Sequence, residues 1–340
     1  MNYTDKSFLD LSKEEISKVI EKLGGPSYRS DQLEDWIYKK YVERWQDMNN
    51  LPAKFLNNLD SSFKLHPLTE ISSSGKSNDP AQKFLFQTTK KNKIESVLMY
   101  QKNRTTICVS SQSGCAVDCK FCATALMGFK ENLTPGEIVD QFLHLSKKSK
   151  SRVTNVVFMG MGEPFLNYEN VSKAAEIMNK KINIGARRIT ISTAGVVSKI
   201  YKMADDKLPY KLAISLNAPN DEIRKKIMPL TINNPINELI KSAEYYYGKL
   251  KRFVTFEYVL LENINDSEAC AFELIDLLKD MPCKLNLIPY NEIGGKFSRP
   301  KSKSIDAFIG ALKNAPFTVT IRWSKGTKID AGCGQLAVKN

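Results

Sequence analysis

Histidine is nearly missing from this chain. Only His66 and His144 occur in 340 residues. His66 lies near the start of a strand-like run and His144 in a helical stretch. Neither has a ligand-like neighbour, so both read as structural or exposed, and histidine-based acid–base catalysis is disfavoured. Long apolar runs are missing too, so no stretch reaches the length of a bilayer span. The opening residues MNYTDKSFLDLSKEE lack the apolar core of a signal peptide. These absences predict a soluble, cytoplasmic protein with no membrane partner. No repeat at solenoid spacing and no low-complexity segment is found. The dinucleotide fingerprint also fails: in GMGEP (160–164) the third glycine of G-x-G-x-x-G would fall at Phe165.

What the chain does have is positive charge and cysteine. Its net charge is +13. Residues 1–100 are balanced, with 15 Lys and Arg against 14 Asp and Glu, and the rest holds 35 against 23. The excess therefore sits with the cysteines, and nucleic acid is the leading anionic partner. Basic groups expected near the substrate face are Arg187-Arg188, Arg224-Lys225-Lys226, Lys296, Arg299 and Lys301, with Tyr290 and Trp323 as stacking surfaces. Seven cysteines in a reducing compartment argue for metal or redox chemistry over disulfides. Cys115, Cys119 and Cys122 form a C-x₃-C-x₂-C run, with Cys108 upstream. Three thiolates on an iron–sulfur cluster leave one iron open to a substrate. Zinc is the alternative, although structural zinc favours paired C-x₂-C units and no second pair exists. Cys270 and Cys283 read as structural. Cys333 lies between two glycines with Arg322, Lys325 and Lys328 upstream, which predicts a mobile loop and a setting that favours thiolate.

Taken in order, the pattern predicts helices over 12–23, 30–42 and from 51, the first with a Ser12/Glu15 capping box. Short strands follow over 68–72, 83–88, 94–100 and 104–110. Beyond the cysteine run, strands and helices alternate, which implies an α/β fold built on a parallel sheet, a partial or full barrel. In such folds the carboxyl ends of the strands form the active face. The cysteine loop, Gly160–Pro164, Ser192-Thr193, Ser215-Leu216-Asn217 and Tyr290-Asn291 all fall there. Gly162 permits close backbone approach, Glu163 suits a ligand ammonium, and Ser192, Ser215, Asn217 and Asn291 suit hydroxyls and a carboxylate. S-adenosylmethionine has all these groups. Glu95, alone in its strand, reads as an ion-paired or surface carboxylate.

The motifs CVSSQSGC, CKFCAT, MGMGEPFLN, RRITIST, AISLNAPND, LNLIPYN and DAGCGQL, with Tyr28-Arg-x-x-Gln32-Leu and Trp36-Ile-Tyr, resemble the RlmN/Cfr family of radical S-adenosylmethionine RNA adenine methyltransferases over about residues 1–337. Pro164 and Leu166-Asn167 are closer to the RlmN type. Departures are Ala125, Gly332 and Asn217, where the family often has Gly, Ala and His. The resemblance implies an α/β fold with a partial (β/α)6-type barrel (104–324), an N-terminal helical domain (1–65), a β-hairpin extension or linker (66–103) and a tail loop (325–340). It implies a [4Fe-4S] cluster on Cys115, Cys119 and Cys122, and two S-adenosylmethionine molecules per turnover. Gly162, Glu163, Ser192, Ser215, Leu216, Asn217 and Asn291 would contact that cofactor. Cys333 would carry a methyl group, Cys108 would be the resolving thiol, and Glu95 a proton acceptor. The implied reaction is C2 methylation of an adenine in 23S rRNA (adenine 2503) and in tRNA (adenine 37). C8 methylation and a non-catalytic iron–sulfur RNA-binding module are the alternatives. The implied partners are a flavodoxin-type reductant and a thiol reductant, and the implied state is a monomer.

Overall fold

The computed structural model describes residues 7–338. The ends of the expected first and last domains, 1–6 and 339–340, lie outside the described residues.

Three helices open the chain: α1 (Lys13–Lys22), α2 (Arg29–Tyr38) and α3 (Ala53–Ser62). Both halves of the Ser12/Glu15 capping box form, and Gly24 turns the chain out of α1 at φ +70. The second helix stops at Tyr38, short of the expected Val42, and Tyr41 takes a left-handed φ of 52. Trp45 and Phe8 pack edge to face at 5.1 Å in the centre of this unit. A buried ion pair joins the unit to the rest. His66 places Nδ1 2.5 Å from Asp140 Oδ1 and Nε2 2.8 Å from the Val42 carbonyl. Burial alone would depress His66, but the Asp140 carboxylate outweighs it and raises the imidazole to about 9.

Four antiparallel strands follow: β1 (Thr69–Ser74), β2 (Ala81–Gln87), β3 (Lys93–Gln101) and β4 (Arg104–Cys108). The two-residue strands β5 (Gln112–Ser113) and β6 (Glu131–Asn132) pair across the base of the cysteine loop, which also carries α4 (Ala123–Leu126). Then come α5 (Pro135–Lys148), β7 (Asn155–Phe158), α6 (Tyr168–Lys180), β8 (Ile189–Thr193), α7 (Val197–Asp205) and β9 (Lys211–Ser215). The chain continues through α8 (Asp221–Ile227), α9 (Ile236–Leu250), β10 (Val254–Leu260), α10 (Glu268–Leu278), β11 (Cys283–Pro289), α11 (Ser302–Ala311) and β12 (Thr318–Ile321). Strands β4 and β7 to β12 run parallel, in sequence order. Such order needs a crossover between each pair, and a buried apolar run such as Leu212–Ile214 suits a sheet covered by those helices.

The stretch 66–103 is continuous with this sheet. The antiparallel strands extend one edge of a single ten-stranded sheet that ends on β1 and β12. Residues from β8 to β11, with others just beyond β7 and β12, line one cavity, so the sheet curves around it as a partial barrel. Among the described residues, no helix is long and apolar enough to cross a membrane.

Candidate active site

β4 delivers Cys108 to the inner face, opposite Val157 of β7. Beyond it the chain enters a loop closed between two glycines. Gly114 has φ +73, and a Cβ there would lie 1.7 Å from the Gly128 carbonyl oxygen. No side chain fits, so the loop neck requires glycine. Inside the loop, Cys115, Cys119 and Cys122 line the cavity. Cys122 N–H donates to the Cys119 carbonyl at 3.0 Å and leads into α4.

Withdrawal from water raises the Cys115 thiol to about 12. Burial raises Cys119 well above its ordinary value, and Cys122 and Cys115 add to it. Thiols held neutral this way ionise when a cation arrives, which is what an iron–sulfur cluster offers. A single zinc ion would need its ligands drawn together. Among the described residues, the group of three ligating side chains with all donor atoms within 4.8 Å is His66, Asp140 and His144, not the cysteines. The donor set therefore fits a cluster better than one ion.

The second strand end shapes the opposite wall. Gly162 has φ +96, and a Cβ there would meet Gln112 Cβ at 2.5 Å. Glu163 N–H donates to Gln112 Oε1 at 2.8 Å, while its carboxylate accepts from Ala194 N at 2.7 Å and Phe165 N at 2.9 Å. Burial pushes Glu163 up to about 7 against those backbone donors. Each carboxylate oxygen keeps spare acceptor capacity, so Glu163 can still take a ligand ammonium. Ser192, Ser215 and Asn217 line the same cavity. Asn217 has a left-handed φ of 58, and its Oδ1 accepts from Val259 N at 2.8 Å.

Two of the expected cofactor contacts, Leu216 and Asn291, adjoin residues of the cavity wall without lining it themselves. Leu216 is buried and does not line the cavity, and its carbonyl accepts from Arg224 Nε at 2.9 Å. Asn291 does not line it either. Its Nδ2 donates to Ser324 Oγ at 2.7 Å and to the Cys333 carbonyl at 3.0 Å, fastening the tail.

Cys333 belongs to that tail and lines the cavity with the three cysteines. It also lines a smaller adjoining cavity with Cys108, Met159, Arg322 and Leu336. The tail is hydrogen-bonded to the cysteine loop and to the segment after β11. Ala123 N donates to the Gly334 carbonyl at 2.8 Å and Thr124 Oγ1 to the Leu336 carbonyl at 2.6 Å. Gln335 Nε2 donates to the Glu292 carbonyl at 3.1 Å. The cysteine loop and the Cys333 loop therefore hold each other. The thiols are also not tuned as expected. Burial pushes Cys108 up to about 12, and the walls around the otherwise exposed Cys333 push its thiol up to about 11. Arg322 opposes both shifts and is the cation placed to stabilise either thiolate.

Glu95 lines neither cavity. Its Oε1 meets Lys83 Nζ at 2.9 Å and its Oε2 accepts from Ala337 N at 3.0 Å, so it clasps the tail. Burial raises it and Lys83 opposes. Its carboxylate thus links β2 to the tail four residues beyond Cys333.

Several basic and aromatic expectations need correction. Arg224 is fully buried, donating to the carbonyls of Ala194 at 2.6 Å and Ser215 at 3.1 Å and to Thr231 Oγ1 at 3.0 Å. It staples loops and does not face a ligand. Arg299 spends its guanidinium on the Tyr290 carbonyl and Asn291 Oδ1. Tyr290 is 2% exposed, too buried to stack on a base, whereas Trp323 is 57% exposed. Arg187 lies at the amino ends of the strands, beside Lys211 and Lys284. The sequence reading missed Glu257, a buried acid on the cavity wall raised by burial and held by Asn286 Nδ2 at 2.7 Å. A charged residue inside the apolar run VTFEYVL was the available signal.

The chain matches the Radical SAM superfamily model over residues 109–275 and a ribosomal RNA large subunit methyltransferase N-terminal domain over residues 6–65. A relative in Dictyoglomus thermophilum, named a probable dual-specificity RNA methyltransferase RlmN, is 44% identical over 97% of this chain and 96% of its own. A relative of that name in Thermotoga maritima is 42% identical over 98% of both. A solved radical SAM methyltransferase from Sphaerobacter thermophilus superposes with a TM-score of 0.95 at 40% identity, covering 98% of this chain and 100% of that one. With that likeness running through the helical start, the cysteine loop and the tail, this chain belongs to the RlmN family of radical S-adenosylmethionine RNA methyltransferases.

Proposed function

We propose that the protein methylates C2 of an adenine, in 23S rRNA at adenine 2503 and in tRNA at adenine 37, through a methyl group carried on Cys333. The observation that supports this most is that Cys108 and Cys333 share one small cavity with Arg322. C2 lies between two ring nitrogens and is too electron-poor to attack a methyl sulfonium, so a carbon radical must add to it.

Cys115, Cys119 and Cys122 would hold the cluster. Glu163, Ser192, Ser215 and Asn217 would hold S-adenosylmethionine, with Gly162 letting it approach. Together the two groups supply a 5′-deoxyadenosyl radical when bound. Cys333 first loses its proton, aided by Arg322, and takes a methyl cation equivalent as the sulfonium C–S bond breaks. Loss of a hydrogen atom leaves a methylene radical on the Cys333 sulfur. That carbon bonds to C2. The C2–H bond then breaks, its proton passing to solvent, and the adduct's unpaired electron would return to the cluster, which gave up one electron in radical formation. Cys108, as thiolate, attacks the Cys333 sulfur. The S–S bond forms, the S–C bond breaks, and the carbon leaves with the base and is protonated to a methyl group. A thiol reductant returns the disulfide to two thiols. A flavodoxin-type protein would supply the electrons for radical formation. A monomer in the cytoplasm completes this reading.

The raised thiols support it. Both cysteines rest protonated, and Arg322 lowers the cost of ionising whichever one is attacking. In Cys108→Ala the adduct cannot be resolved, so a covalent protein–RNA species should accumulate under anaerobic turnover, visible as a nuclease-sensitive gel shift. Nucleoside mass analysis of wild-type product should give 2-methyladenosine. Exclusive 8-methyladenosine, or full turnover by Cys108→Ala, would sink the proposal.

A further inference from the structure

The amino ends of the same strands form a second polar surface, remote from the thiols. Side chains alternate along a strand, so residues four apart share a face. Arg104 therefore lies on the inner face with Cys108, Lys211 with Ser215, and Lys284 with Ile288. Thr255 pairs with both Ala213 and Lys284, which puts Lys211 and Lys284 on the two strands flanking β10. The pocket there is walled by Arg187, Lys211, Arg252, Phe253 and Lys284, among others.

These cations repel one another. Partial burial holds Lys211 below its ordinary value, and Lys284 and Arg104 lower it further. Among the described residues, none of Arg104, Arg187, Lys211 and Lys284 forms an ion pair with a carboxylate. Elsewhere lysines do find such partners, as Lys39 does with Asp35 and Lys226 with Glu222. Phe253, at the rim, is 53% exposed. A flat apolar ring beside a concentration of unpaired cations matches what a base and its phosphates require.

We propose that this pocket binds the phosphate groups of a nucleotide, with the base resting on Phe253. An RNA strand and a free nucleotide are the two sources of that chemistry. The inference goes beyond methyl transfer, and its test reads binding, so it can fail without the methylation reading failing.

The test uses the cluster-loaded full chain and the double variant Lys211→Gln/Lys284→Gln, with each single variant and Phe253→Ala beside it. None of these residues belongs to the catalytic machinery, so 5′-deoxyadenosine formation serves as the folding control. The probes are a single-stranded RNA oligonucleotide and ATP, with inorganic pyrophosphate as a third. If RNA is the source, the slope of log affinity against log salt should fall by about 0.7 for each lost phosphate contact. Phe253→Ala should then weaken RNA with the slope unchanged. If a free nucleotide is the source, ATP and pyrophosphate should raise the wild-type melting temperature, and the double variant should lose that shift while its RNA slope stays put. Unchanged RNA affinity and slope in every variant, together with no wild-type response to ATP or pyrophosphate, would overturn the proposal.

Discussion

β9 carries Ser215 at one end of its inner face and Lys211 at the other, and its neighbours repeat the contrast. At the carboxyl ends, the cysteine loop and the tail close over the strands. Groups there are withdrawn from water and tend to the neutral form, with Glu163 raised to about 7 and Cys108 to about 12. At the amino ends no such cover exists among the described residues, and Lys211 and Lys284 are exposed. Between the two lies a polar layer in which Asn286 bridges Glu257 at 2.7 Å and Thr320 at 3.1 Å. One pleated surface thus supports a dry end, suited to radicals that water or stray donors would quench, and a wet end suited to charge. Cover, more than residue type, separates them.

Substitutions at the two ends test that contrast, and the largest effect belongs to the covered end. On the proposed mechanism, Cys333→Ala should drop RNA methylation below detection in an anaerobic assay, because Cys333 is the side chain proposed to carry the carbon. Methylation persisting in that variant would remove the reason for the cover. Arg224 comes next. Its guanidinium holds carbonyls from two strand ends, and Arg224→Met leaves them buried without donors. The expected loss is roughly 3–5 kcal/mol by urea denaturation, against a change within about 0.5 kcal/mol for exposed Lys225→Ala. Equal costs for the two would mean that the buried staple contributes nothing.

Much of this architecture was legible beforehand. Ser12 and Glu15 marked a helix start because capping is local, and the strand–helix alternation marked a parallel sheet because each crossover is a sequence-level event. The C-x₃-C-x₂-C loop was visible for the same reason. Arg224 was misread because a basic run in sequence says nothing of which member points inward from α8. That Asn291 and Glu95 also hold the tail was not legible, because no local pattern shows where a tail returns. The thiol environment of Cys333 was expected to favour thiolate from nearby basic residues. The packing that raises it comes from strands far away in sequence.

Two glycines give a smaller and cleaner contrast. Gly162, at the covered end, has φ +96 and no room for a Cβ, whereas Gly185, just before β8 at the open end, has nothing within 4 Å of a Cβ and an ordinary φ of -54. Gly162→Ala should cost about 1–3 kcal/mol of stability. Gly185→Ala should be neutral or stabilise by about 0.4–1 kcal/mol through the unfolded chain. Thermal melts of both variants decide this, and a destabilised Gly185→Ala would show that the open end is as tightly packed as the covered one.

The smallest effect expected is a gain, at Lys211. Its folded value lies below the ordinary 10.5, chiefly from partial burial and then from Lys284 and Arg104. Below that folded value lysine is protonated in both states, and the fold bears the full repulsion. Between the folded value and 10.5 the unfolded chain binds more protons, so wild-type stability should rise with pH across that window. Lys211→Gln removes the repulsion at every pH. The variant should therefore melt at or above the wild-type temperature near neutrality, and its advantage should shrink both on the alkaline side and in high salt, which screens exposed charges. A clear loss of stability in Lys211→Gln at low salt would mean that this lysine serves packing, and the contrast between a charged open end and a neutral covered end would lose its thermodynamic basis.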